Sequence, residues 1–540
     1  MAVPSYLLKY GITDIEEIIF NPSYNTLFAE ETRPDLDRFE RGIITRSGAI
    51  SVDTGSNTEC LTMDRYVVLD EKTRDTVWWK SGMAKISENK PVSPDIWDHC
   101  KDITARQLSG KRLFVTDCCY GARKNSMINV RFITEIAWQA HFVKNIFIRP
   151  EQEEPDNFEP DFVVLIASKA VNSEWQEQGL NSGNFIIINF SENMAVIGGT
   201  FHTCEMKRCL FSVMNYRLSF KGITSLCCAA NVGHDGVVAL FLGPSGTGKT
   251  TLATDPGRML IGDDAHGWDD EGIFSFEGGC YPKCLKLSRE DAPDIFDAIR
   301  RDSLLENLVV MSDGRIDFNS DAKTENTRVS YPLYHISNTV KPVSTGGHPE
   351  KIIILTVDGF GVLPPASLLS EEQAQYYFLS GYTTRIARTE RELAETIPSF
   401  SCCFVAPFLM IDPVKNANEF ASKMKLHGSE AWLVNTGVLG SPMGTGNRID
   451  LRTIRQIITS ILDDSIKEHE FVTLPVFNLS IPTKIRGIDD NIIDPVKSWD
   501  SQIKWHIAAT DLALKFINNF SKFITNPGTA YLADFGPRIS

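Results

Sequence analysis

Short apolar runs bounded by polar residues recur along the chain, and most have the length of a strand. Val237-Val238-Ala239-Leu240-Phe241-Leu242, Phe162-Val163-Val164-Leu165-Ile166, Phe185-Ile186-Ile187-Ile188-Asn189-Phe190 and Lys351-Ile352-Ile353-Ile354-Leu355-Thr356-Val357-Asp358 predict buried strands. Alternation at Ala49-Ile50-Ser51-Val52-Asp53 and the run Tyr66-Val67-Val68-Leu69 predict strands joined by a loop within 42–70, and Leu113-Phe114-Val115-Thr116 adds another. Arg258-Met259-Leu260-Ile261-Gly262 reads as a strand that ends in Asp263-Asp264. Helical character marks Val130 to Val143, Ile454 to Leu462 and Trp505 to Phe520. In the first forty residues, which read as a docking segment, Thr13 to Phe20 predicts a short amphipathic helix stopped by Asn21-Pro22. The class is therefore α/β. With no internal repeat and no Gly/Ser linker, two domains packed along a cleft are expected.

Composition narrows the partners. The chain has 540 residues, 42% of them hydrophobic, enough for large cores in about two or three domains. A formal net charge of -15 supplies no basic stripe, which argues against nucleic acid and anionic membrane as partners. No run approaches the length of a membrane span, and the start lacks a basic region followed by an apolar one, so a cytoplasmic location is expected. Twelve cysteines in a chain this long are not a disulfide framework; in a reducing compartment they would be free, metal-bound or reactive.

The chemistry begins at Gly243-Pro244-Ser245-Gly246-Thr247-Gly248-Lys249-Thr250, which fits the phosphate-loop pattern G-x-x-x-x-G-K-[ST]. The apolar run before it and Thr250-Thr251-Leu252-Ala253 after it give the strand-to-helix context that the pattern requires. Glycines at 243, 246 and 248 let backbone N–H groups face phosphate oxygens. Lys249 can reach the terminal phosphates, and the Thr250 hydroxyl can hold Mg²⁺. Asp263 and Asp264, at a strand end just downstream, are where such enzymes hold the nucleotide's metal. The predicted ligand is a nucleoside triphosphate.

Further stretches carry a family resemblance. Residues 243–252, Ile261-Gly262-Asp263-Asp264, His266-Gly267-Trp268, Phe276-Glu277-Gly278-Gly279-Cys280-Tyr281 and Glu325-Asn326-Thr327-Arg328 together resemble ATP-dependent phosphoenolpyruvate carboxykinase. So do Arg131 to His141, Asn215-Tyr216, Gly361 to Pro365 and Asn435-Thr436-Gly437. The resemblance starts within the first dozen residues, which predicts no transit peptide. It implies an N-terminal α/β substrate-side domain over 1–225 and a nucleotide-binding domain over 226–540. ATP, Mg²⁺ and Mn²⁺ would lie in the cleft. The implied reaction decarboxylates oxaloacetate to an enolate and phosphorylates it from ATP, giving phosphoenolpyruvate, ADP and CO₂. By position, Lys249 and Thr250 would serve phosphates and Mg²⁺, Asp263 the metal-bound waters, Lys283 and Arg328 the γ-phosphate, and Arg448 the adenine end. Ser245, Thr247 and Thr251 complete the loop, and Lys249, Asp263, Asp264 and Arg328 are the catalytic candidates.

The other half of the site departs from the family. Where the family has a Gly-Arg-Ser-Pro-Lys-Asp-Lys-Tyr loop whose Arg grips the substrate carboxylate, this chain reads Glu59-Cys60-Leu61-Thr62-Met63-Asp64-Arg65-Tyr66. Cys60 therefore stands at the Arg position, without a guanidinium fork, and Arg65 is not expected to take over. A family Tyr-Gly-Gly-Glu-Met-Lys-Lys stretch is replaced by His202-Thr203-Cys204-Glu205-Met206-Lys207-Arg208. Arg208, at the position of a Mn²⁺-binding Lys, has no lone pair to offer. Cys227 replaces the family His that also binds Mn²⁺, and sulfur favours softer ions. Of the Mn²⁺ ligands only Asp264 remains; Ala265 for a Glu and Val438 for a Trp are smaller departures. Removing one transition-state charge stabiliser costs on the order of 10²–10³ in rate, so full carboxykinase speed is not expected.

The family positions of Cys60, His202, Cys204 and Cys227 line one pocket beside Asp264. Three readings of that set stay open: a tetrahedral Zn²⁺ site, thiols that fill space, or a redox thiol near Arg208. Three readings of function stay open as well. The chain is a working carboxykinase, a nucleotide-binding pseudoenzyme, or a phosphotransferase or ATPase with another acceptor.

Overall fold

The computed structural model describes residues 3–79, 87–150, 158–341, 344–388 and 394–539. The chain divides into two compact units, each discontinuous in sequence. The first comprises Met1–Leu218, Phe274–Thr345 and Pro407–Met410, and the second Ser219–Ile273, Gly346–Ala406 and Ile411–Ser540. The sequence reading drew a single line at 225/226; the structure instead returns 274–345 to the N-terminal residues. Strand pairing is the cause, since Leu304–Glu306 lies parallel to Ile50–Val52 and antiparallel to Arg328–Pro332. Among the described residues, no helix is long and apolar enough to cross a membrane.

The first unit is built on an eight-stranded mixed sheet. Its order is Ile15–Phe20, Lys111–Tyr120, Ile128–Thr134, Phe162–Ala167, Met194–Gly198, Phe185–Asn189, Arg65–Val68, Lys90–Val92. The central strands are buried along their whole length, as their unbroken apolar runs require. Helix Pro94–Leu108, with Ser93 capping the Ile96 N–H and Pro94 in its first turn, lays Trp97, Cys100, Ala105 and Leu108 into this core. Two expectations fail here. Thr13 to Phe20 is not a helix, because Ile15–Phe20 pairs in parallel with Lys111–Tyr120 as an edge strand. Val130 to Val143 is not one element: Ile128–Thr134 is a strand between two others, and the helix is Ala137–Ile146.

The second unit holds another eight-stranded sheet, ordered Arg258–Gly262, Cys228–Gly233, Val238–Leu242, Lys351–Thr356, Glu430–Asn435, Ala366–Leu369, Leu479–Pro482, Phe471–Leu474. Val238–Leu242, Lys351–Thr356 and Glu430–Asn435 run parallel at its centre. Helices Leu451–Leu462 and Gln502–Ile524 contain the two C-terminal helical stretches read from spacing. The phosphate-loop sequence leaves the C-terminal end of the central strand Val238–Leu242. That end is the usual ligand position in an open α/β sheet.

Candidate functional site

In the second unit, Gly243 to Gly248 joins Val238–Leu242 to the short helix Lys249–Ala253. Glycine is required at the turn: Gly243 has φ +150°, and a Cβ there would lie 2.6 Å from the Leu355 carbonyl oxygen. The loop is cross-braced from within. Thr247 Oγ1 donates to the Pro244 carbonyl at 2.9 Å, and Thr436 Oγ1 donates to the Thr247 carbonyl at 3.2 Å. Lys249 is buried, its Nζ donating to the carbonyls of Gly243 at 2.8 Å and Pro244 at 3.2 Å. Ser245 and Gly246, at the tip, are exposed. Thr251 is half-buried, its carbonyl accepting from Arg455.

The acids follow from the edge strand Arg258–Gly262. Thr250 Oγ1 donates to Asp263 Oδ1 at 2.5 Å, so the two oxygen-bearing side chains that the sequence assigned to Mg²⁺ and its waters meet directly. Asp264 Oδ1 lies 3.7 Å from Lys249 Nζ and accepts from Cys227 Sγ at 3.5 Å. Lys249, Cys227, Thr250, Asp263 and Asp264 are thus one cluster on one side of the loop. Arg448 is exposed on the two-residue strand Asn447–Arg448. It borders a cavity of about 440 Å³ with Leu439, Ile449, Thr453, Asn491 and Ile492.

The first unit carries the remaining candidates. Lys283 and Arg328 form an isolated antiparallel bridge. The Arg328 guanidinium donates to the Tyr281 carbonyl at 2.9 Å and to Asn326 Oδ1 at 3.1 Å, and lies 4.8 Å from the Tyr281 ring centroid. Two cations are thereby set opposite each other across one backbone bridge.

Cys60, His202 and Cys204 also meet here. The Cys60 and Cys204 sulfurs and a ring nitrogen of His202 lie within 4.8 Å of one another. Cys60 and Cys204 are joined as a disulfide with Cα atoms 5.8 Å apart, a separation usual for such bridges. Of the readings left open for these cysteines, thiols that stay free and merely fill space do not hold for this pair: residues 144 apart in sequence are brought to bonding distance by the loop before Thr62–Asp64 and the start of helix Cys204–Ser219. Cys227 belongs to the second unit, beside Asp264.

Arg65, five positions after Cys60, does not reach back toward the Cys60 loop as a free cation. Its buried side chain leaves the strand toward helix Cys204–Ser219, lies 3.6 Å from Glu205 Oε2, and donates to Ser212 Oγ at 2.9 Å under the Phe408 ring. Burial shifts both members of the pair toward their neutral forms, lowering the Arg65 pKa and raising that of Glu205 against their mutual attraction. Lys207 is likewise committed, 2.9 Å from Glu277, and the Arg208 guanidinium lies 5.3 Å from the Phe408 ring centroid.

Two buried acids were missed by sequence reasoning. Glu306 accepts from Thr203 Oγ1 at 2.5 Å and Tyr281 OH at 2.8 Å, and faces His202 Nδ1 at 3.1 Å. Asp358 accepts from the backbone N–H groups of Phe360, Val362 and Leu363, which fixes the turn after Lys351–Thr356. The available signal was a carboxylate directly after an apolar strand run, at Leu304-Leu305-Glu306 and Thr356-Val357-Asp358.

The family model described as phosphoenolpyruvate carboxykinase, of the ATP-dependent type, matches residues 16–491. With this match spanning most of its length, the chain belongs to the ATP-dependent phosphoenolpyruvate carboxykinase family.

Proposed function

We propose that the chain binds ATP with Mg²⁺ through residues 243–251 and that its conversion of oxaloacetate to phosphoenolpyruvate is weak or absent. The observation that carries this reading is the engagement of Arg65. Residues 54–64 contain no arginine, and Arg65 is held by Glu205 and Ser212 of helix Cys204–Ser219, so Arg65 does not supply the cation that Cys60 lacks.

The nucleotide side is supported by residues that keep suitable chemistry. The Lys249 ammonium rests on two loop carbonyls and can exchange them for phosphate oxygens without leaving the loop. Thr250 and Asp263 provide the adjacent oxygens suited to Mg²⁺ and its water shell. When bound, Mg²⁺ neutralises charge on the terminal phosphates. Arg448 and the cavity around Ile449 and Thr453 accept the base. Lys283 and Arg328 keep the cations that the family uses at the γ-phosphate.

The Mn²⁺ donor set does not fit. A guanidinium at 208 cannot ligate, and Cys227 supplies sulfur to Asp264 where the family supplies imidazole. No step is assigned to Mn²⁺.

The test compares the protein with a triple variant, Cys60→Arg, Arg208→Lys, Cys227→His. ATP with Mg²⁺ should raise the melting temperature of the unaltered protein. Phosphoenolpyruvate formation should rise by a factor on the order of 10² or more on restoration. Equal turnover by the two proteins would refute the loss. ATP hydrolysis that ignores oxaloacetate would favour a phosphotransferase or ATPase with another acceptor.

A further inference from the structure

His202 is 2% exposed, and its two ring nitrogens have different surroundings. Nδ1 faces the Glu306 carboxylate at 3.1 Å, and Glu306 is itself fixed by Thr203 and Tyr281. A carboxylate at Nδ1 holds the proton there and leaves a lone pair on Nε2. Nε2 is buried and has no hydrogen-bond partner among the described residues. A buried polar atom left unsatisfied is destabilising, so a buried imidazole with an idle nitrogen beside two sulfurs calls for a ligand.

We propose that Cys60, Cys204 and His202 form a redox-gated Zn²⁺ site, occupied when the cysteines are reduced and emptied when they join as the disulfide. Two thiolates and one imidazole are soft and intermediate donors that suit Zn²⁺ and disfavour Mg²⁺ or Mn²⁺. Glu306 behind His202 is the carboxylate–histidine support that orients zinc-binding imidazoles. Three protein ligands leave the fourth tetrahedral position to water. Cys60 is half-exposed on its loop, whereas Cys204 and His202 are buried, so both the ion and an oxidant approach from the Cys60 side.

The gating step is thiol–disulfide exchange with a low-molecular-weight disulfide of the glutathione type. The Cys60 thiolate attacks one sulfur of that disulfide and expels the first small thiolate. Cys204 then attacks the Cys60 sulfur and expels the second. The protein gives up two electrons in forming its S–S bond, the small disulfide takes them up as two thiolates, and Zn²⁺ loses two of its ligands. The site does not depend on the nucleotide-binding reading.

The experiment uses the full chain without a histidine tag, reduced with a phosphine and titrated with Co²⁺ as a spectroscopic stand-in for Zn²⁺. Thiolate-to-cobalt charge-transfer and tetrahedral d–d bands should saturate at one ion per chain and vanish on adding Zn²⁺. Oxidised glutathione should release the Zn²⁺ to a chromophoric chelator while two thiols disappear. Cys60→Ser and His202→Asn should each weaken binding at least tenfold; the Asn amide still reaches Glu306, so this variant keeps that contact and lacks only Nε2. Glu306→Gln should weaken binding about 10–100-fold. The proposal is overturned if reduced protein develops no such bands, if Cys60→Ser and His202→Asn bind like the parent, or if the oxidised protein keeps its ion.

Discussion

Replacing Arg65 with Met should destabilise the protein in a pH-dependent way, with little effect on nucleotide binding. The side chains of Arg65 and Glu205 are 7% and 0% exposed, and Glu205 also accepts the Leu61 N–H at 2.5 Å, next to Cys60. Without Arg65, Glu205 must stay charged and buried or take up a proton. Protonation sets the ceiling on the cost. At pH 7 the solution lies about 2.5 pH units above the ordinary value of 4.5, which at about 1.36 kcal/mol each gives about 3.4 kcal/mol. This agrees with the roughly 3–5 kcal/mol found when one partner of a buried pair is removed. At pH 5 the same term falls to about 0.7 kcal/mol. The loss of the Ser212 hydrogen bond adds about 1 kcal/mol at either pH. The assay is the urea midpoint of the parent, Arg65→Met, Glu205→Gln and the double variant, each at pH 5 and pH 7. The single Arg65 variant should lose most at pH 7, and adding Glu205→Gln should recover most of that loss. A loss of the same size at both pH values, or no recovery in the double variant, would refute the buried-pair account. Unchanged stability with abolished oxaloacetate turnover would show that Arg65 serves the substrate after all.

Three other outcomes are expected. Gly243→Ala places a Cβ 2.6 Å from the Leu355 carbonyl at φ +150°, which should cost roughly 1–3 kcal/mol and shrink the ATP-induced shift in melting temperature measured by scanning fluorimetry. Thr250→Val keeps the shape but removes the hydroxyl beside Asp263, so the Mg²⁺-dependent part of that shift should fall while any Mg²⁺-free part stays. Burial opposes charge on His141, but Glu31 at 3.1 Å and the Asp302 carbonyl outweigh it and raise the pKa above 6.5. The stability this contributes is present in full below pH 6.5 and is lost as pH rises through the raised value. His141→Gln should therefore flatten the decline in urea midpoint on the alkaline side.

The sequence by itself determined what depends on neighbours along the chain. The strand before Gly243, the glycines of the turn, Lys249 and Thr250 at the helix start and Asp263-Asp264 at a strand end all fall between Val238 and Asp264, so motif and local pattern suffice. The residues at 60, 208 and 227 could be read as departures from the family only through the spacing of flanking motifs, and they enter the proposed function on that footing. Tertiary structure alone decided what depends on distant partners. Ile15–Phe20 is a strand because Lys111–Tyr120 supplies its hydrogen bonds, which the apolar spacing of Thr13 to Phe20 does not reveal. Residues 274–345 belong with the N-terminal residues because Leu304–Glu306 pairs with Ile50–Val52. The same pairing sets Glu306 behind His202, 104 residues away, and the fold closes the 144 residues between Cys60 and Cys204. Bonding and burial across such separations depend on which surfaces the folded chain brings together, and local propensity does not encode them.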